Sequence, residues 1–190
     1  RDVAPSRGLG DVYKRQPVIV ELKEENDFRL TAEELEAVIT PKTKILIMPF
    51  PNNPTGAIME KADLEAIVQV VKEHDLFVIS DEIYSELTYV DKHVSIASFP
   101  GMKERTVLIN GFSKAYAMTG WRLGYACAPE TILKQMLKIH QFAIMCAPTT
   151  SQYAAVEAMK NGDEDVAQMR DEYNGRRRYV LHRFNCLLYT

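Results

Sequence analysis

Lys114 and Arg122 are the residues of this chain whose surroundings most invite chemistry. They lie in Asn110-Gly111-Phe112-Ser113-Lys114-Ala115-Tyr116-Ala117-Met118-Thr119-Gly120-Trp121-Arg122-Leu123-Gly124, directly after an apolar run at 106–109. A lysine amine serves as a nucleophile when its surroundings lower its pKa and fix its position. A nearby arginine, set among glycines and beside an aromatic, offers a planar guanidinium able to grip a phosphate. Read alone, Lys114 would be one more solvated surface charge. In this string it suggests a Schiff-base lysine followed by a phosphate anchor, the pair needed to hold pyridoxal phosphate.

Two more motifs precede it. Pro51-Asn52-Asn53-Pro54-Thr55-Gly56 follows Ile45-Leu46-Ile47-Met48, an apolar run that reads as a buried parallel strand. Proline and glycine at both ends of the motif stop the strand and freeze a loop, although asparagine–proline turns are common for no chemical reason. Then Leu76-Phe77-Val78-Ile79 runs into Ser80-Asp81-Glu82-Ile83-Tyr84. A carboxylate at the C-terminal end of a buried strand stands where open α/β sheets bind ligands. The plain readings are a helix N-cap for Asp81 and partial core burial for Tyr84.

Taken in order, these strings resemble the fold-type I, class I/II aminotransferases, whose signature is a small-apolar-small-Lys string followed by Gly-x-Arg-apolar-Gly. The resemblance covers nearly all of 17–185. It implies pyridoxal 5'-phosphate bound at Asn53, Asp81, Tyr84, Ser113, Lys114 and Arg122. Lys114 would carry the cofactor and then shuttle a proton. Asp81 would pair with the pyridine nitrogen and keep it protonated, so the ring stays an electron sink. Tyr84 and Asn53 would bond the 3-oxygen, Asn53 would also reach the substrate carboxylate, Ser113 would add a phosphate contact, and Arg122 would anchor the phosphate. Lys114, Asp81 and Tyr84 are thus the expected catalytic set. Trp121 is expected to pack beside the phosphate. The family often has serine where Gly111 stands.

The implied activity is transfer of an amino group between an L-amino acid and a 2-oxo acid, by a cytoplasmic homodimer. Two alternatives share the scaffold. One is a lyase or synthase using the same residues for carbanion stabilisation; the other is the pyridoxal-phosphate-binding domain of a transcriptional regulator, marked by a helix-turn-helix module upstream. A lyase given a cysteine thioether would release pyruvate and ammonia without an oxo-acid acceptor. A complete family member is longer than this chain. The glycine-containing phosphate loop, the aromatic that stacks on the ring and the carboxylate-binding arginine are expected outside it, and the polypeptide alone is expected to be inactive. Arg176, Arg177 and Arg178 do not replace that arginine, because consecutive helical residues point in different directions.

The termini read differently. Asp11-Val12-Tyr13-Lys14-Arg15-Gln16 can be encoded by GATGTGTATAAGAGACAG, and the reverse complement, read one base in, encodes Cys186-Leu187-Leu188-Tyr189-Thr190. This duplex resembles the end of a transposase-based sequencing adapter. Residues 1–16 and 186–190 are therefore expected to be translated adapter. The expected domain layout is the central part of a large domain at 17–160 and a helix entering a small domain at 161–185.

The elements that must position these residues alternate along the chain. A strand is expected at 18–22. A helix opens at Thr31-Ala32-Glu33-Glu34 with a capping box, and a second runs over 60–74 on the stripe Leu64, Ile67, Val68 and Val71. Strands at 45–48, 76–79, 106–109 and 123–128 follow in turn. Then come a helix with Pro129 at its first position, one at 151–159 ended by Gly162, and a long charged one at 164–184. Such alternation predicts an α/β fold with a doubly wound, mostly parallel sheet and the start of a C-terminal small domain.

Composition narrows the class. The 190 residues carry a formal charge of −3 and are 46% hydrophobic, enough for one sizeable core and too weakly charged to suggest nucleic acid. No apolar run is long enough for a membrane span. Cys127 and Cys146, at no metal or redox spacing, are expected to be buried thiols in a reducing cytoplasm. The four histidines are scattered without partners at ligand spacing, which argues against a metal site, and His74 is expected to end a helix.

Overall fold

In the computed structural model, which describes residues 16–90 and 92–188, a four-stranded sheet organises the chain. Its strands are β1 (Ile45–Pro49), β2 (Phe77–Asp81), β3 (Thr106–Gly111) and β4 (Gly124–Cys127), in that spatial order. β1, β2 and β3 are parallel, and β4 returns antiparallel to β3. The helices are α1 (Ala32–Glu36), α2 (Lys61–Glu73), α3 (Glu130–Ala143), α4 (Thr149–Asn161) and α5 (Asp163–Leu188). The fold is α/β with a mostly parallel sheet, as the alternation predicts. Residues 1–15 and 189–190, most of the adapter-like peptides, lie outside the described residues; Cys186 and Leu187 prolong α5.

Side-chain alternation explains where the core sits. Met48 on β1 and Val78 on β2 point to one face, where they pack with Leu64, Ile67, Val68 and Val71 of α2. The predicted stripe is therefore the buried one. α2 starts at a capping box between Glu60 and Asp63 and ends at His74, as read. α1 likewise opens on the Thr31–Glu34 capping box, Thr31 Oγ1 accepting from the Glu34 N–H at 3.2 Å. Arg29 joins the two helix starts, 2.8 Å from Glu60 and 3.2 Å from Asp63.

Several expectations are corrected. β1 is parallel but buried on one face only: it is an edge strand of the sheet among the described residues, and Ile45 and Ile47 are 51% and 53% exposed. With Phe77 and Ile79, their register partners, they share the face turned away from α2. Residues 18–22 form no strand. Val20 and Leu22 lean on the core while Val18 and Ile19 are exposed, so the alternation is real but no ladder accepts it. Pro129 is the N-cap of α3 and not its first helical residue, its ψ of 141° being extended. Cys127 and Cys146 are exposed, the first because β4 is the sheet's other edge. Gly162 ends α4 as read. Arg176, Arg177 and Arg178 are exposed on α5, Arg176 pairing with Glu172 and Arg177 lying over the Tyr89 ring.

Candidate active site

One edge of the sheet collects every candidate residue. β1, β2 and β3 end there in parallel, with Pro49 level with Asp81 and Asp81 level with Ile109. The loop bearing Asn53, the turn bearing Asp81 and Tyr84, and the loop bearing Lys114 leave from these ends. β4 runs the other way, so its start lies at the same edge, Gly124 opposite Gly111. Arg122, two residues before Gly124, is thereby brought beside the lysine loop. A reversal of one strand does what sequence spacing alone could not.

The loop after β1 is tied by Asn52, whose backbone N–H donates to Ala57 O at 2.8 Å and whose carbonyl accepts from Gly56 N–H at 2.9 Å. Its side-chain oxygen accepts from Thr55 Oγ1 at 3.0 Å, which leaves Asn53 exposed at the tip. Gly56, at φ 74°, takes the left-handed turn that closes the loop. The Phe50–Pro51 and Asn53–Pro54 peptide bonds are cis.

At the end of β2, one oxygen of Asp81 accepts the Ile83 N–H at 3.2 Å, an Asx turn and not the N-cap of a helix. The turn brings up Tyr84, half-buried, whose ring centroid lies 5.4 Å from Lys114 Nζ. That distance suits a cation over an aromatic face. Lys114 is itself half-buried in a tight loop, its carbonyl accepting from Ala117 N–H at 3.2 Å while Phe112, Ala115 and Met118 are buried around it. Ser113 is half-buried beside it. Arg122 sits at φ 53°, and its Nη1 donates to Thr119 O at 2.9 Å. The structure thus joins Lys114 to Tyr84 directly and sets Asp81, Asn53, Ser113 and Arg122 around the same edge.

Trp121 is 47% exposed, and its carbonyl accepts from Ser151 Oγ of α4 at 2.7 Å. Gly111 has a packing cause. A Cβ there would meet Gly124 Cα at 2.9 Å and Leu123 O at 3.1 Å, so any side chain would push the β3–β4 pair apart.

Sequence reasoning passed over Glu82 and His93. Glu82 is 3% exposed and accepts three hydrogen bonds, one of them 2.8 Å from His93 Nε2. His93, read as having no partner at metal-ligand spacing, is eleven residues away in sequence, a spacing that announces nothing. The only available signal was an acidic residue directly after Asp81, where a buried strand ends. Among the described residues, no cluster of three or more His, Cys, Asp or Glu could hold a metal. No described helix is long and apolar enough to cross a membrane.

An amine, a carboxylate, a phenol, a guanidinium, an amide and a hydroxyl stand at the carboxyl edge of a mostly parallel sheet, where open α/β proteins bind their ligands. The sequence profile of aminotransferase class I and II matches residues 11–187, and the chain belongs to that family. It is 51% identical over 169 residues to a putative aminotransferase of Bacillus subtilis, covering 89% of this chain and 44% of that protein. It is 49% identical over 173 residues to an aspartate aminotransferase of Pyrococcus abyssi, covering 90% of this chain and 44% of the relative. Among solved structures, an aromatic aminotransferase from Pyrococcus horikoshii superposes with a TM-score of 0.87 at 48% identity, over 90% of this chain and 46% of that one. The chain therefore spans less than half the length of the relatives it matches.

Proposed function

We propose that the whole protein is a pyridoxal-phosphate-dependent aminotransferase that moves an amino group from an L-amino acid to a 2-oxo acid. The observation that carries this reading is the meeting of Lys114 Nζ with the Tyr84 ring at 5.4 Å, on the edge where β2 delivers Asp81. The donor set fits the cofactor, which when bound supplies an electron sink for a negative charge at the substrate α-carbon. Lys114 would hold the cofactor and afterwards carry a proton on Nζ to and from that carbon. The Asp81 carboxylate would keep the ring nitrogen protonated, Tyr84 and Asn53 would hydrogen-bond its phenolic oxygen, and Ser113 and Arg122 would hold its phosphate. Asn53, exposed at its loop tip, would also meet the substrate carboxylate.

Relatives of similar identity are named for aspartate and for aromatic amino acids. We take the substrate to be an L-amino acid with an acidic or aromatic side chain. The free thiols at Cys127 and Cys146 fit a reducing cytoplasm, and we infer a homodimer there.

Borohydride reduction of the whole protein loaded with pyridoxal phosphate, followed by peptide mass mapping, tests the reading. The adduct is expected on Lys114; an adduct on another lysine would refute it.

A further inference from the structure

We propose that Glu82 is the positioning residue of this site: its buried carboxylate, clamped by Ser80, His93 and Ser95, sets the direction in which Asp81 and Tyr84 face the cofactor. The inference rests on the functional reading above.

Glu82 is held from every side. Its backbone N–H donates to Ile109 O of β3 at 2.9 Å, and its carbonyl accepts from Ser85 N–H at 2.9 Å, closing the turn that carries Tyr84. Oε1 accepts from Ser80 Oγ at 2.9 Å and from Ser95 Oγ at 2.7 Å, while Oε2 lies 2.8 Å from His93 Nε2. Two donors come from the segment that follows the Tyr84 turn, so the carboxylate pins that segment to the end of β2. Ser95 is itself fixed, since its Oγ also accepts the Ala97 N–H at 3.3 Å.

Alternation turns this clamp into a pointer. Ser80 is buried on the α2 side of the sheet, level with Met48 and Leu108, and Asp81 points to the opposite side. Glu82 bonds Ser80, so it is held on the Ser80 side. As long as Glu82 is anchored there, Asp81 between them cannot swing inward. A fully satisfied buried network of this kind is rigid, whereas a partly satisfied one is costly and loosens. Small misplacements of groups around a reacting centre are expensive, a shift of about 1 Å costing on the order of 100-fold.

The test uses the whole protein as wild type, E82A, E82Q and S95A. Apoprotein is titrated with pyridoxal phosphate and followed by visible absorption, and the pH midpoint of that absorption is recorded. E82A is expected to bind the cofactor at least about tenfold more weakly and to shift the pH midpoint, because Asp81 no longer faces the ring nitrogen squarely. S95A, losing one donor, should move both in the same direction by less. E82Q keeps the shape and the acceptor shared by the two serines, and should restore both. A folded E82A with wild-type affinity and midpoint overturns the proposal. If E82A does not fold, S95A decides: wild-type values in it overturn the proposal equally. A wild-type protein that takes up no pyridoxal phosphate overturns the functional reading, and this inference with it.

Discussion

Asp81 combines a structural bond with a charge, and the two can be separated. Its Oδ1 accepts the Ile83 N–H, a bond that an amide oxygen can also accept. Asp81→Asn therefore keeps the turn and removes the charge proposed to face the cofactor's ring nitrogen. Turnover of the whole protein should fall by about 100- to 1,000-fold, the usual loss when a fixed electrostatic partner is removed, with a melting midpoint close to wild type. Unchanged turnover would count against the assigned role. Arg122→Lys keeps a positive charge but loses the planar fork, so cofactor affinity, measured by absorbance titration, should weaken by about tenfold. Equal affinity would mean that the phosphate is held elsewhere.

At the scale of elements, the β3–β4 pair is the joint on which the site depends. It places the lysine loop and Arg122 side by side, and its tightest contact is Gly111 against Gly124. Gly111→Ala would put a methyl carbon 2.9 Å from a backbone carbon, where no flexible side chain can yield. The expected cost is about 1–3 kcal/mol, read as a lower urea midpoint, as for other overpacked positions. Cofactor affinity should fall with it, because strand separation also moves Arg122. A variant with wild-type stability and affinity would show that the pair has room to spread. The closeness of this pair is a packing reason for glycine at position 111 in this chain.

For the whole molecule, alkaline pH is the informative variable. Burial raises the hydroxyl of Tyr125 above its ordinary value of 10.0, with the charge of Cys127 adding to it. Burial does the same for Tyr116, helped by Asp163 and Glu86. Phe112 lies against both rings, with centroids 5.4 Å and 5.9 Å away; Tyr116 packs into the cluster beside the lysine loop, while Tyr125 is 43% exposed and screened by solvent, so its share of the effect is the smaller. Above about pH 10 the unfolded chain loses protons that the folded chain still binds, so stability falls as pH rises. This contribution is full below the unfolded value and is lost as pH climbs through the raised folded value. Urea midpoints measured from about pH 9 to about pH 11 should fall less steeply for Tyr125→Phe and Tyr116→Phe than for wild type. Parallel slopes would contradict the shifts.

Local chemistry made much of this protein legible without coordinates. The stripe Leu64, Ile67, Val68 and Val71 had to face a core because a 3.6-residue period aligns it, and the Thr31 and Glu34 pair had to open a helix because their side chains satisfy its first N–H groups. Three ordered motifs sufficed for the family, and they named the candidate residues that the structure gathers at one end of the parallel strands. Burial was less readable: an apolar run such as 45–48 reads alike whether its strand is covered on both faces or stands at an edge with Ile45 and Ile47 exposed. The same holds for Cys127, and for the alternating residues 18–22, which found no ladder. Contacts between distant residues were beyond reach altogether. That Glu82 would meet His93 and Ser95, that Gly111 would lie against Gly124, and that β4 would return Arg122 to the lysine loop were decided by tertiary structure. Periodicity and capping act within a few residues, whereas these contacts depend on which strands pair and in which direction.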